Sequence, residues 1–215
     1  ALPYANVTRN VTFMQDKGID ALYQLAEPQG GYLTTAQAVE AGVSRRLLSH
    51  YAARGDLERV AHGIYRLHRF PAHRFGDLIA TRLWAGRGAA VSHDSALAVY
   101  GLGSAMPAVI HITVPGAFRG KRPGVVVHRA PLSSAEITLR DDVPVTKVER
   151  TLCDVASIGD PSMAGDAARE AIERGLTTRA RLSETVDERP DRDHVRNVLG
   201  LPKAKRTVPS RGGSL

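Results

Sequence analysis

Three short stretches hold residue types capable of covalent or phosphate chemistry, and their spacing decides how far each can go. Ser92, His93, Asp94 and Ser95 supply the members of a hydrolase triad. Successive residues of a helix point about 100° apart, so four neighbours cannot relay a proton among themselves. The stretch reads instead as a helix start, with Ser92 as the cap and polar surface residues behind it. The segment PGAFRGKRPG (115–124) has the glycines and lysine of a phosphate-binding loop. That loop places four residues between its glycines and a hydroxyl after its lysine. Here three residues separate Gly116 from Gly120, Arg122 follows Lys121, and strand-like sequence comes next. It reads as a basic hairpin loop, suited to touching DNA or an acidic protein surface. The segment DRDHVRN (191–197) echoes a kinase catalytic loop. Its spacing is one residue short, its leading histidine is absent, and no glycine-rich loop precedes it. A capped surface helix accounts for it better.

The remaining chemistry-bearing residues assign no site. His111 and His128 fall in two strand-like segments, VIHITV (109–114) and GVVVHR (124–129), and can face each other. The histidines lack metal-ligand spacing, so packing is the expected role of the pair. Cys153 is the only cysteine, which excludes an internal disulfide and a cysteine-rich metal centre. It lies in an apolar helical pattern and is expected to be buried rather than reactive. No catalytic residue, cofactor or metal ion is assigned.

Binding is more legible than catalysis. The chain carries a net charge of +7 and a pI near 9.9, which points to an anionic partner, nucleic acid being the commonest. Between Arg45 and Arg74 seven arginines stand against only Asp56 and Glu58, so the charge is concentrated in one region. A helix over 45–54 would place Leu47, Leu48 and Tyr51 on one side and Arg45, Arg46, Ser49, His50 and Ala53 on the other. A cationic, polar outer face with one small residue suits a helix entering a DNA major groove. Arg45, Arg46, Ser49 and His50 are therefore expected to face base edges. Arg54, Arg59, His62 and Arg66 are expected to reach phosphates or the minor groove.

The elements that must position these residues can be read around them. Ile19, Leu22, Tyr23 and Ala26 mark one face of a helix over 16–26, ended by Gly30 and Gly31. Thr34 and Gln37 have capping-box spacing, so a second helix starts near Thr35, with Ala36 and Val39 pointing inward and Gly42 at its exit. Ser44 caps the third helix. LERV and GIYRL flank AHG, a small hairpin turning around Gly63. Three short helices and a hairpin make a winged helix-turn-helix. Beyond Pro71, helices are expected at 74–85, after Ser92, and near 147–158, 162–174 and 178–187, with a short strand at 142–146. The fold class is α+β: an N-terminal winged helix-turn-helix plus a C-terminal mixed α/β domain. The expected organisation is a flexible extension at 1–13, a DNA-binding domain at 14–70, an α/β domain at 71–190 and a basic disordered tail at 200–215. No apolar run approaches the roughly 20 residues needed to cross a bilayer, and a cytoplasmic location is expected.

Three stretches carry a resemblance. GYLTTAQAVEAGVSRRLLSHYAARGDLERVAHGIYRL (31–67) is similar to the winged-helix domain of the AbiEi-type antitoxins, and AVSHDSALAVYGL and VPVTKVERTLCDVA resemble that family's second domain. The resemblance covers roughly 20–175. It implies a bacterial toxin–antitoxin operon whose promoter inverted repeats the N-terminal domain binds, repressing transcription. Winged-helix repressors usually meet palindromic sites as pairs, so a homodimer on double-stranded DNA is expected. The resemblance also implies a cognate nucleotidyltransferase-like toxin as second partner, neutralised through the C-terminal domain. Family members differ in how they neutralise it, so an enzymatic alternative stands beside this reading: a kinase-like modification of the toxin. Some longer relatives append an endonuclease-like domain, for which this chain is too short.

Overall fold

The computed structural model describes residues 17–203; the expectations for 1–13 and for the tail from 204 onward lie outside the described residues. The chain divides at Pro71 into two compact units.

In the first unit α1 (Lys17–Ala26) buries Leu22 and Ala26, and a single 3-10 turn at Glu27–Gln29 leads to β1 (Tyr32–Thr34). The Thr34 hydroxyl accepts from the Gln37 amide N–H at 3.1 Å, and the Gln37 side chain accepts from the Thr34 N–H at 2.8 Å. This reciprocal box starts α2 (Thr35–Glu40) where its spacing predicts. Gly42, at φ +85°, ends the helix. Its N–H donates to Val39 and that of Val43 to Ala38, the two bonds of a Schellman exit, and the buried Val43 side chain seals it. Ser44 then caps α3 (Arg45–Ala53) through the Leu47 N–H at 3.2 Å. A second Schellman exit at Gly55 turns the chain into β2 (Leu57–Ala61), and Gly63 at φ +71° turns it into β3 (Ile64–Leu67).

Two details differ from the sequence reading. The sheet has three strands, ordered β1-β3-β2, because Tyr32–Thr34 pairs antiparallel with β3. A three-residue strand offers too little alternation to be seen beforehand. On α2, Ala36 is exposed and Val39 is 47% exposed, while Ala38 is buried. Over a helix of six residues the phase comes from the caps and the neighbouring core, here Leu33, Ala38 and Val43, rather than from an apolar periodicity.

The second unit is built on a five-stranded sheet, β6-β5-β4-β8-β7, of β4 (Ala90–Val91), β5 (Ile110–Val114), β6 (Val125–Arg129), β7 (Ile137–Arg140) and β8 (Val143–Thr146). Alternation along β5 and β6 sorts their side chains. Ile112, Val114, Val125 and Val127 pack with Trp84, which stands on α4 (Gly76–Ala85). His111 and His128 share the opposite face, where α5 (His93–Tyr100) packs on β5. Helices α6 (Val148–Ile158), α7 (Pro161–Glu173), α8 (Arg179–Asp187) and α9 (Arg192–Val198) complete the unit. Val148, Leu152 and Val155 of α6 are all buried, as their spacing predicts.

Residues 115–124 do not form a hairpin. β5 and β6 run parallel, so the basic loop is a crossover. It travels over the Trp84 face, where Phe118 meets the indole edge-on with ring centroids 5.0 Å apart. Asp141 and Asp142, both at positive φ, form the two-residue turn of the β7–β8 hairpin.

Candidate nucleic-acid interface

On α3 the helical wheel is realised in three dimensions. Leu48 and Tyr51 are fully buried and Leu47 packs against the same core. Arg45, Arg46, Ser49, His50 and Ala53 are exposed. The Ser49 hydroxyl donates back to the Arg45 carbonyl at 3.1 Å, which holds it on the outer face. The helix thus presents two guanidinium groups, an imidazole and a hydroxyl to one side, with a small residue between. Arginine forks match guanine edges and phosphates, and serine and histidine add shorter polar contacts.

The other expected contacts divide. Arg59 and His62 are exposed at the β2–β3 turn, joined by Arg59 Nη2 and His62 Nδ1 at 3.1 Å. Arg54 caps the end of α3, half exposed, 3.0 Å from the Asp56 carboxylate and lying over the Tyr51 ring. Arg66 is different. Its guanidinium donates to Glu58 through Nε and Nη2 and to the Phe70 carbonyl through Nη1, leaving the side chain 16% exposed. It latches β3 to β2 and to the segment that follows. Glu58 directly faces Arg66 across the ladder, and that pairing becomes visible only with the register in hand. Arg69, which lies over the Tyr23 ring, is exposed near the same segment.

The stretches read for chemistry in the second unit also found their places. Ser92, His93 and Ser95 are buried, not surface residues. Ser92 makes no cap bond; its Oγ pairs with His93 Nδ1 at 2.9 Å. The Ser95 hydroxyl accepts from the His111 N–H at 2.9 Å, tying α5 to β5. His111 Nδ1 and His128 Nε2 stand 3.0 Å apart, so the two histidines do face each other. His93 joins them, its ring stacked on His128 at 3.6 Å between centroids. Burial lowers the His93 imidazole to about 3, with His128 and His111 adding to the effect, and lowers His128 to about 4. Sequence spacing could not reveal this triad, because its third member comes from a helix that the fold lays across the sheet.

Residues 191–197 do contain a helix, but Val195 and Arg196 are buried and Asp191 accepts from Arg189 and Ser157. Arg189 and Arg150 also converge on Asp154 from two sides, at 2.9 and 2.8 Å. These contacts knit α6 to the chain before α9. Cys153 is buried beside them, its thiol pushed up to about 12 by burial.

Among the described residues no helix is long and apolar enough to cross a membrane. No curated protein matches the sequence. Among solved structures, the RV2827C protein from Mycobacterium tuberculosis is similar in fold, with a TM-score of 0.50 at 19% identity over 86% of this chain and 76% of that one. Residues 20–68, which hold α3 and the whole of the strand pair after it, match the family described as "Transcriptional regulator, AbiEi antitoxin". That match lies wholly within the first unit, which ends at Pro71.

Proposed function

We propose that this protein is an antitoxin that represses its own operon by binding promoter inverted repeats, and that it counteracts a nucleotidyltransferase-like toxin encoded beside it. In this reading the unit ending at Pro71 is the DNA-binding domain and the unit after it carries the antitoxic activity. The observation that carries the reading is the division of α3: Leu48 and Tyr51 sealed in the core, Arg45, Arg46, Ser49 and His50 turned outward. A helix held in this way by a helix-turn-helix enters the major groove and reads base edges with its first turns. Arg59 and His62 at the wing turn reach phosphates or the minor groove, and Arg54 holds a phosphate at the end of the helix. Arg66 serves by keeping the wing in place. Two protomers meet the two halves of a palindromic site.

The family match over 20–68 supports regulation, and the arginine concentration between Arg45 and Arg74 supports an anionic partner. Footprinting on the DNA upstream of the protein's own gene tests the repressor half. Protection of paired half-sites one helical turn apart is expected; protection indistinguishable from random DNA contradicts it. Co-expression with the adjacent gene product tests the antitoxin half. Restored growth that survives deletion of residues up to Pro71 is expected, and loss of rescue on that deletion places the activity elsewhere.

A further inference from the structure

Three histidines far apart in sequence meet on one face of the second unit. We propose that His93, His111 and His128 form a binding site for a single divalent transition-metal ion of the imidazole-preferring class, with Zn2+ its best-fitting member. The site is independent of the DNA-binding reading, and its tests need no DNA.

The donors are already gathered. One ring nitrogen from each histidine lies within 4.8 Å of the others. His111 Nδ1 and His128 Nε2 stand at 3.0 Å. In a tetrahedral zinc site with bonds of about 2.0–2.1 Å, neighbouring ligand nitrogens sit about 3.3 Å apart. Two donors are therefore within a few tenths of an ångström of ligand spacing, and the third converges once the His93 ring rotates off its stack on His128.

The His93 ring is oriented by its surroundings, and the sheet fixes the backbone from which the other two rings project. Ser92 Oγ engages His93 Nδ1 at 2.9 Å, and with Nδ1 as the donor the Nε2 lone pair is left for the ion. His111 is held through its own backbone N–H, which donates to Ser95 at 2.9 Å, and parallel pairing of β5 with β6 sets His128 diagonally from it on the same face. His93 occupies a left-handed backbone conformation, φ +51°, which a non-glycine residue keeps only where its surroundings enforce it.

Access and coordination number fit the same class. His93 is buried, while His111 and His128 are partly exposed and Val126 on their face is 38% exposed, so an ion reaches the cluster from solvent. Three neutral imidazoles leave a fourth position for water or an anionic group.

The experiment uses the 215-residue chain, stripped with chelator and dialysed against Zn2+, with metal counted by inductively coupled plasma mass spectrometry. One ion per chain is expected, with a melting midpoint that rises with Zn2+ concentration. Co2+ in place of Zn2+ should give the visible absorption of a low-coordinate nitrogen site, a readout that needs no variant. His111→Ala and His128→Gln should each weaken binding at least tenfold, whereas His68→Ala, at an exposed histidine outside the cluster, should leave it unchanged. Failure of the wild-type chain to hold a stoichiometric ion overturns the proposal. So does undiminished binding by both cluster variants, which places the ion on other histidines.

Discussion

On α3, Arg45 and Arg46 stand exposed beside Ser49 and His50, whereas in the second unit Arg150, Arg189 and Arg196 retain only 12%, 20% and 7% of their side-chain exposure. Those three hold Asp154, Asp191 and Asp187, and Arg150 also reaches Glu136. The same residue type is thus an exposed helix face in one unit and an internal strut in the other. A count of positive charge cannot separate the two uses. Position on the helix can: on α3 the arginines fall opposite the apolar stripe, while on α6 Arg150 lies four residues from the buried Asp154.

This contrast can be broken in order of expected size. Asp154→Ala strips two partly buried guanidinium groups of their shared partner. Breaking a buried pair from one side costs about 3–5 kcal/mol, and urea melts should show that loss in the second unit. Gly31→Ala tests the first unit's frame. Gly31 has φ +89°, and an added Cβ would meet Phe70 Cβ and Cγ at 2.5 Å. Strained φ and overpacking together should cost roughly 2–4 kcal/mol. Arg45→Ala should leave stability within about 0.5 kcal/mol yet weaken specific DNA binding by roughly 1–3 kcal/mol, relaxing preference at one base pair. Arg59→Ala should weaken all sequences alike and flatten the salt dependence by about one unit; an unchanged slope removes the wing turn from the interface.

Acid sharpens the comparison by a smaller amount. Hydrogen bonds from Arg189, and then from Ser157, hold the Asp191 carboxyl at about 2, below its ordinary 3.8. A depressed folded-state value stabilises the native chain above the unfolded value and loses that contribution as pH falls from 3.8 through about 2. Asp191→Asn should remove that part of the acid sensitivity; identical acid melts for variant and wild type contradict the assignment.

What the sequence made legible follows the range of the forces involved. The Thr34–Gln37 box, the Ser44 cap and the glycine exits at Gly42 and Gly55 act within a few residues, so each was readable in place. The two faces of α3 were readable for the same reason, since helical geometry alone sorts Leu48 from Arg46. Strand pairing is non-local, and there the reading failed: β5 and β6 run parallel, and the loop between them is a crossover packed against Trp84. The β7–β8 hairpin had a local signal, Asp141–Asp142 between two strand-like runs, that went unread. His93 could not be joined to His111 and His128 without knowing that α5 lies across β5. Arg66 looked like its neighbours until the ladder set Glu58 opposite it.

The most direct test of the account is fluorescence anisotropy of the whole chain against a labelled duplex from its own upstream DNA and a scrambled duplex of equal length. Wild type should prefer the upstream duplex by at least a hundredfold at physiological salt, and the Arg45→Ala/Arg46→Ala double variant, melting as wild type does, should lose that preference. A folded double variant that still selects the upstream duplex would show that the outer face of α3 does not read DNA.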